Sequence, residues 1–229
     1  MLNGYGPVIL EGAWLTLELA LCSMALAVAL GLISVAMRLS PVRWVAFLGD
    51  VYSTVIRGIP DLVLILLIFY GGQVLLNTVA PLLGHEDYID LDPLVSGIFT
   101  LGFIFGAYLS ETFRGAFMAI PKGQGEAGIA YGMSSRKVFF RVLVPQMIRL
   151  AIPGFTNNWL VLTKATALVS VVGLQDMMFK AKQAGDATGK PFTFYVAVAG
   201  MYLVLTSVSL LGLRWVERRY SVGVRMADL

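Results

Sequence analysis

The sequence predicts an all-α integral membrane protein, a bundle of about five transmembrane helices carrying one water-facing loop. Three observations predict it. The chain has 229 residues, of which 58% are hydrophobic and 14% charged, with a mean hydropathy of +0.79. A soluble domain usually carries about 25% charged residues. Five apolar segments reach the roughly 20 residues that a helical span requires. Between the third and fourth of them, residues 125–145 form a substantial run that is both helical in pattern and polar enough to face water.

The first span is expected over residues 13–37, ending at Arg38, Pro41 and Arg43. The second covers 59–79 with Gly71 and Gly72 inside it, followed by Pro81 and an acidic loop over 86–92. The third covers 94–117. The fourth, 153–172, is the most polar, and the fifth runs 192–216 into Glu217, Arg218 and Arg219. No basic region precedes the first apolar segment, so it is expected to be retained rather than cleaved as a signal peptide. The whole chain, 1–229, reads as a single transmembrane domain with a central loop at 118–146, and no clear internal repeat divides it.

In the central loop, Pro121 and Gly123 break the preceding helix and a short helix can start near Gln124. Gly132 can end it in the left-handed conformation that a helix C-terminus favours. Ser134 is a good N-cap for a further turn, which Pro145 limits. Glu126, Arg136, Lys137 and Arg141 are then exposed, while Ile129, Val138, Phe139 and Val142 are available for packing.

Lys and Arg concentrate after the first span, in the central loop and at the C-terminal end, which puts those regions in the cytoplasm and the N-terminus outside. Lys180, Lys182 and Lys190 lie on the other side, offset by Asp176 and Asp186. The formal charge of +3 is too small and too scattered to argue for nucleic acid. One cysteine, Cys22, excludes an internal disulfide, and a lone His85 with it cannot build a metal site. Gly185 to Pro191 lacks one residue and the Ser or Thr of a phosphate-binding loop. The chain is therefore expected to have no catalytic residue and no cofactor, and any ATP is hydrolysed by another chain.

Ionisable residues inside spans are costly and mark functional candidates. Glu18 lies one heptad from Glu11 and points to a pore or packing interface, or snorkels outward. Asp61, just after Pro60, sits in a first helical turn where its charge offsets the helix dipole. Arg57 reads as an interfacial anchor; Glu111 and Arg114, one turn apart, pair or brace the central loop. Asn157 and Lys164 are seven apart and share a face, with Thr156, Thr163, Thr166 and Ser170 on or near the opposite one. Lys164 sits where snorkelling is hardest and needs a carboxylate, a hydrated cavity or an anion, either as a structural ion pair or on a translocation path. Gly102 and Gly106 permit close helix approach within the subunit.

Glu126-Ala127-Gly128, then Gly132, then Val142-Leu143-Val144-Pro145 resembles the EAA loop of ATP-binding cassette (ABC) importer permeases. That signature has Glu-Ala-Ala, a Gly four residues on, and a distant Ile-x-Leu-Pro; here Gly128 replaces the last Ala. Residues 56–62 with Phe69-Tyr70-Gly71 look like the second-span start of the polar amino-acid permeases. Tyr108, 111–116 and 120–124 resemble the approach to their central loop, and Asn157-Asn158, Lys164 and 168–170 fit their fourth span. The tail 217–224 looks like the Q-type permease subunit of histidine/lysine/arginine/ornithine importers.

The resemblance implies a type I importer permease fold in a bacterial inner membrane. It implies pairing with a second, homologous permease, two ATPase subunits that bind ATP and Mg, and a periplasmic amino-acid-binding protein. Glu126, Ala127, Gly128, Gly132 and Pro145 would couple to the ATPase, and Glu18, Asn157 and Lys164 are candidates for the path of a basic amino acid. An ion-coupled secondary transporter would use Glu18, Asp61 and Lys164 too, though it usually needs more spans or paired repeats. A membrane scaffold would explain the packing but not a mid-span lysine.

Overall fold

A computed structural model describes residues 4–84 and 87–220. Within them the chain forms α1 (Gly6–Arg38), α2 (Arg43–Gly58), α3 (Asp61–Val79), α4 (Pro93–Met118), α5 (Lys122–Ala130), α6 (Ser135–Val138), α7 (Val144–Val169), α8 (Met177–Thr188) and α9 (Pro191–Tyr220). Strands are absent among the described residues. Five helical runs are long and apolar enough to cross a membrane: Gly6–Arg38, Asp61–Leu83, Pro93–Met118, Ser135–Val172 and Pro191–Tyr220. The expected all-α bundle of five spans is therefore observed. His85, Glu86, and the tail residues 221–224 with Arg225 lie outside the described residues.

The spans alternate in direction. Contacts of Leu19 and Leu26 with Gly97 and Gly102 show α1 and α4 running parallel. Thr112 meets Gly154 and Asn158 while Gly97 meets Val169, so α7 is antiparallel to α4. Arg38, the end of α4, helices α5 and α6, and the end of α9 consequently gather at one end of the bundle.

The core is the α1–α4 seam, with α7 closing over it. Lipid tails are as apolar as leucine, so spans associate through close packing of small residues rather than by excluding water. A Cβ at Gly102 would stand 2.6 Å from Leu26, and one at Gly106 2.9 Å from Leu30 and 2.7 Å from the Tyr52 hydroxyl. The paired glycines thus serve packing within the subunit. Gly12 does the same at the opposite end, where a Cβ would fall 2.8 Å from the backbone of Asp176 and Met177. That contact docks α8 on α1, and Thr16 Oγ1 accepts from Met177 N at 3.2 Å beside it.

Several boundaries differ from the sequence reading. The first span begins at Gly6, because Pro7 occupies an opening position where its missing N–H costs nothing. Two helices, α2 and α8, were not expected: both are too short and too polar for a span, and α2 is amphipathic, with Trp44, Phe47 and Leu48 exposed. The fourth span does not begin at Pro153, nor does Pro145 end the helix before it. A π-helical turn at Phe139–Leu143 leads directly into α7, which continues through Pro153. Its wider i→i+5 spacing gives a proline ring the room that an α-turn denies it.

Candidate functional site

The central loop is a tight helical hairpin. Helix α5 begins at Lys122, with Pro121 capping it, two residues before the expected start. It ends in two hydrogen bonds: Gly132 N donates to Ile129 O at 2.9 Å and Met133 N to Gly128 O at 3.1 Å. Gly132 has φ +78°, the left-handed conformation expected of it. Ser134 occupies the N-cap of α6 as expected, although its side chain makes no capping bond. Val138 is buried against Gly128, where a Cβ would lie 2.8 Å from Val138 Cγ2. The helices pack through this pair, and Gln146 Nε2 reaches Gln124 Oε1 at 3.4 Å to join α5 to the start of α7.

Glu126 and Ala127 project outward. Ile129 and Phe139 are not packed inward: Ile129 is 58% exposed, Phe139 40%, and Tyr131 and Phe140 are exposed beside them. The loop therefore presents an apolar face to its surroundings, held by a hairpin whose own core is Val138 and Gly128.

Behind the loop, three arginines converge on one carboxylate. Glu111 takes Arg38 at 2.9 Å, Arg57 at 3.3 Å and Arg114 at 3.0 Å, and Arg38 also pairs with Asp50 at 2.7 Å. The Glu111–Arg114 pair was legible at helical spacing; Arg38 and Arg57 were not, because α1 and α2 bring them from distant sequence. Arg57 is thus no simple interfacial anchor: it pairs with Glu111 and stacks 5.7 Å over the Tyr108 ring. Asp61 lies in the first turn of α3, as expected.

The polar residues of the fourth span divide as expected. Asn157 and Lys164 are exposed on one face of α7, and Thr156, Thr163 and Thr166 are buried on another. The buried hydroxyls mostly bond their own helix, Thr163 to Trp159 O at 2.8 Å and Thr166 to Thr163 O at 2.7 Å; Thr166 also meets Tyr202 Oη at 3.3 Å. Asn158 crosses to Thr112 on α4 at 3.0 Å. Lys164 lines a recess of about 380 Å³ with Ala167 and, from α9, Ala199, Tyr202, Leu203 and Thr206. No carboxylate pairs with it among the described residues, so a buried structural ion pair within the chain is not what holds it. Glu18 stands apart, exposed beside Trp14, Leu17, Leu21 and Cys22 on α1.

In the sequence Asp176 figures only as a charge that offsets the neighbouring lysines. It is fully buried as the N-cap of α8, Oδ1 accepting from Phe179 N at 2.9 Å and Oδ2 lacking a partner. Burial pushes its pKa up to about 7, against the lowering effect of the surrounding N–H groups. The close approach of α1 at Gly12, invisible in sequence, helps to bury it. No group of three or more His, Cys, Asp or Glu among the described residues could hold a metal ion.

Residues 27–222 match the model of the binding-protein-dependent transport system inner membrane component family. The chain belongs to this family. The match contains the central loop, the Glu111 cluster and Lys164, but not Glu11 or Glu18. Full-length relatives agree with it. The chain is 54% identical over 229 residues, all of both chains, to the histidine/lysine/arginine/ornithine transport system permease protein HisQ of Salmonella typhimurium strain LT2. It is 35% identical over 230 residues to the arginine ABC transporter permease protein ArtQ of Escherichia coli K12, covering 95% of this chain and 96% of that one.

Among solved structures, the chain superposes on an amino acid ABC transporter crystallised with histidines at a TM-score of 0.81 and 29% identity, covering 94% and 95% of the two chains. A methionine ABC transporter, MetNI, in an inward-facing form shares the fold at a TM-score of 0.73 and 19% identity, over 93% and 96%. The resemblance drawn from the EAA-like loop and the spans around it is thus borne out at the level of family and fold.

Proposed function

We propose that this chain is the permease subunit of an ABC importer that moves basic amino acids into the cytoplasm. The observation that carries the reading is the full-length 54% identity to a histidine/lysine/arginine/ornithine permease, joined to an exposed apolar hairpin of the EAA type. In this reading the whole chain is one transmembrane domain and the loop at 118–146 seats in a groove of an ATPase subunit. Glu126 and Ala127 lie on its contact surface, and Gly128, Gly132 and Pro145 give the hairpin its shape. Closure of two ATPase subunits, which bind ATP and Mg, reaches the spans as a rigid-body push through α7. A second, homologous permease completes the path, and a periplasmic binding protein supplies the amino acid.

The central-loop end is then cytoplasmic and the N-terminus periplasmic, which agrees with the basic residues gathered there. Asn157 and Lys164 line the path, since a polar exposed face in a span is not suited to lipid. Glu18, exposed on α1 beside Trp14 and Leu21, stands apart from the recess at Lys164 within this chain. With Glu11, Asp87 and Asp90 it makes the outer side acidic and attractive to a cation, an influence screened beyond about 8 Å in physiological salt. Family membership favours this reading over an ion-coupled transporter.

Competition in vesicles carrying the whole complex tests it. ATP-dependent arginine uptake should be blocked by excess lysine, ornithine or histidine and spared by glutamate and glutamine. Uptake that proceeds without the ATPase subunits, or that only glutamine inhibits, overturns the proposal.

A further inference from the structure

Helices α1 and α9 both pack on α7, yet a trench separates them toward the cytoplasmic end. At the outer end α8 ties them together. There Ile9, Met177, Ala181 and Phe194 form one buried cluster, with Tyr5 edge-on to Phe194 at 5.8 Å. The inner part of the trench is a recess of about 450 Å³, walled by Val28 and Leu32 of α1, Ala151 and Phe155 of α7, and Leu213 and Val216 of α9. A second recess of about 470 Å³ continues it past Met24, Trp159 and Gly212 and shares Phe155, Leu213 and Val216.

The walls suit an alkyl chain. Every residue lining the inner recess is apolar except Tyr220 at its mouth. Ser209, beside Gly212, donates its hydroxyl hydrogen to Leu205 O at 2.8 Å. Gly212 keeps the trench open, since a Cβ there would meet nothing within 4 Å. Glycine inside a helix is unfavourable, and close approach of another group to its backbone is a reason to keep it. From Leu21 to Leu32 on α1, and from Ser209 to Tyr220 on α9, the rise is roughly 16 Å. That is about half of the ~30 Å hydrocarbon core, the depth of one leaflet.

Charge selects the leaflet and the head group. Arg141 before α7, Arg149 beside the wall residue Ile148, and Arg219 beside Tyr220 are all exposed at the cytoplasmic end. None of the three pairs with a carboxylate among the described residues. Basic residues between spans on the cytoplasmic side fit anionic phospholipid head groups. Farther out, the groove between α1 and α9 passes Trp14 and Leu17, where the exposed carboxylate of Glu18 repels such a group.

We propose that the inner half of this trench binds one anionic phospholipid of the cytoplasmic leaflet. An acyl chain lies along Leu32, Phe155 and Leu213, and the phosphate sits at Arg141, Arg149 and Arg219. The site depends on the reading above only for which end is cytoplasmic. Seated there, the lipid joins α9 to α1 over the floor of α7, a contact that the chain leaves unmade.

The test is native mass spectrometry of the assembled permease–ATPase complex, delipidated in detergent and titrated with dioleoyl phosphatidylglycerol or dioleoyl phosphatidylcholine. The wild type should bind phosphatidylglycerol roughly tenfold or more tightly than phosphatidylcholine. Arg149→Gln should weaken phosphatidylglycerol about fivefold, and Arg141→Gln, Arg149→Gln and Arg219→Gln combined should erase the preference. Gly212→Leu, which fills the trench, should remove one bound lipid per copy of this chain.

Three results overturn the proposal: equal binding of the two lipids, a preference that survives the combined arginine variant, or a lipid count unchanged by Gly212→Leu. A fourth concerns assembly. If Gly212→Leu still inserts but no longer co-purifies with a companion permease, the trench holds a helix of that subunit and the proposal fails. Wild-type ATP-driven arginine uptake is measured in parallel. Its absence sinks the transport assignment and leaves the lipid result standing, whereas uptake without the predicted lipid preference sinks only the lipid site.

Discussion

Where the family signature has a second alanine, this chain has Gly128, and the structure gives the substitution a measurable meaning. A Cβ built there stands 2.8 Å from Val138 Cγ2. Carbon atoms settle at about 3.5–4.0 Å, so Gly128→Ala must find about 1 Å. Val138 is 3% exposed and β-branched, so it cannot swing aside freely. Overpacking of this kind costs about 1–3 kcal/mol. Against it, alanine inside a helix is worth about 1 kcal/mol over glycine. The clash should win by about 1 kcal/mol, loosening the hairpin between α5 and α6. Adding Val138→Ala removes the two methyl groups in conflict, and the double-mutant cycle should show a coupling of about 1–2 kcal/mol. The assays are thermal melting of the assembled complex and its ATP hydrolysis stimulated by the binding protein. Gly128→Ala should lower both, and the pair should recover most of the loss. If Gly128→Ala melts at or above the wild-type temperature, or the two changes simply add, the packing argument is wrong.

Two further outcomes follow from the charge clusters. Glu111→Gln keeps the shape but strips the counter-charge from three arginines, of which Arg38 is 8% exposed. Breaking a buried pair costs about 3–5 kcal/mol, and with Glu111 itself about a quarter exposed we expect about 2 kcal/mol. A melting temperature of the complex unchanged by that substitution would contradict the hub role. Asp176 has a folded pKa near 7, above the ordinary carboxylate range. The folded protein therefore binds its proton more tightly than the unfolded chain, and stability should fall as pH rises from about 4 through about 7. Melting curves across that window should show the decline in the wild type and a flatter profile in Asp176→Asn; equal slopes would remove Asp176 as the cause.

The lesson about reading this chain lies in which residues each level of structure could place. Span number, the loop and its left-handed Gly132 follow from local rules: apolar length, the conformational freedom of glycine, and charge over a few residues. The pairing of Glu111 with Arg114 and the two faces of α7 follow from helical spacing alone. Nothing local announced α2 or α8, which are too short and polar to register as spans; α2 is held by packing on α1 and α4, and α8 by packing on α9 and α1. Pro145 misled because proline rules assume an α-turn, and the chain supplies a π-turn there instead.

By itself, then, the sequence determined what depends on neighbours within a turn or two, because hydropathy, caps and spacing act at that range. That was enough for a five-span permease with an exposed coupling-type loop. Only the tertiary structure decided what depends on approach between segments far apart. The absence of side chain at Gly12, Gly102 and Gly106 lets helices come close enough to bury Asp176 and bring Tyr52 against α4. The same packing gathers Arg38 and Arg57 on Glu111, and leaves Lys164 facing a recess without a carboxylate partner. Whether a charge in a membrane protein is paired or waiting for a ligand is set by which helix stands opposite, and no local pattern encodes that.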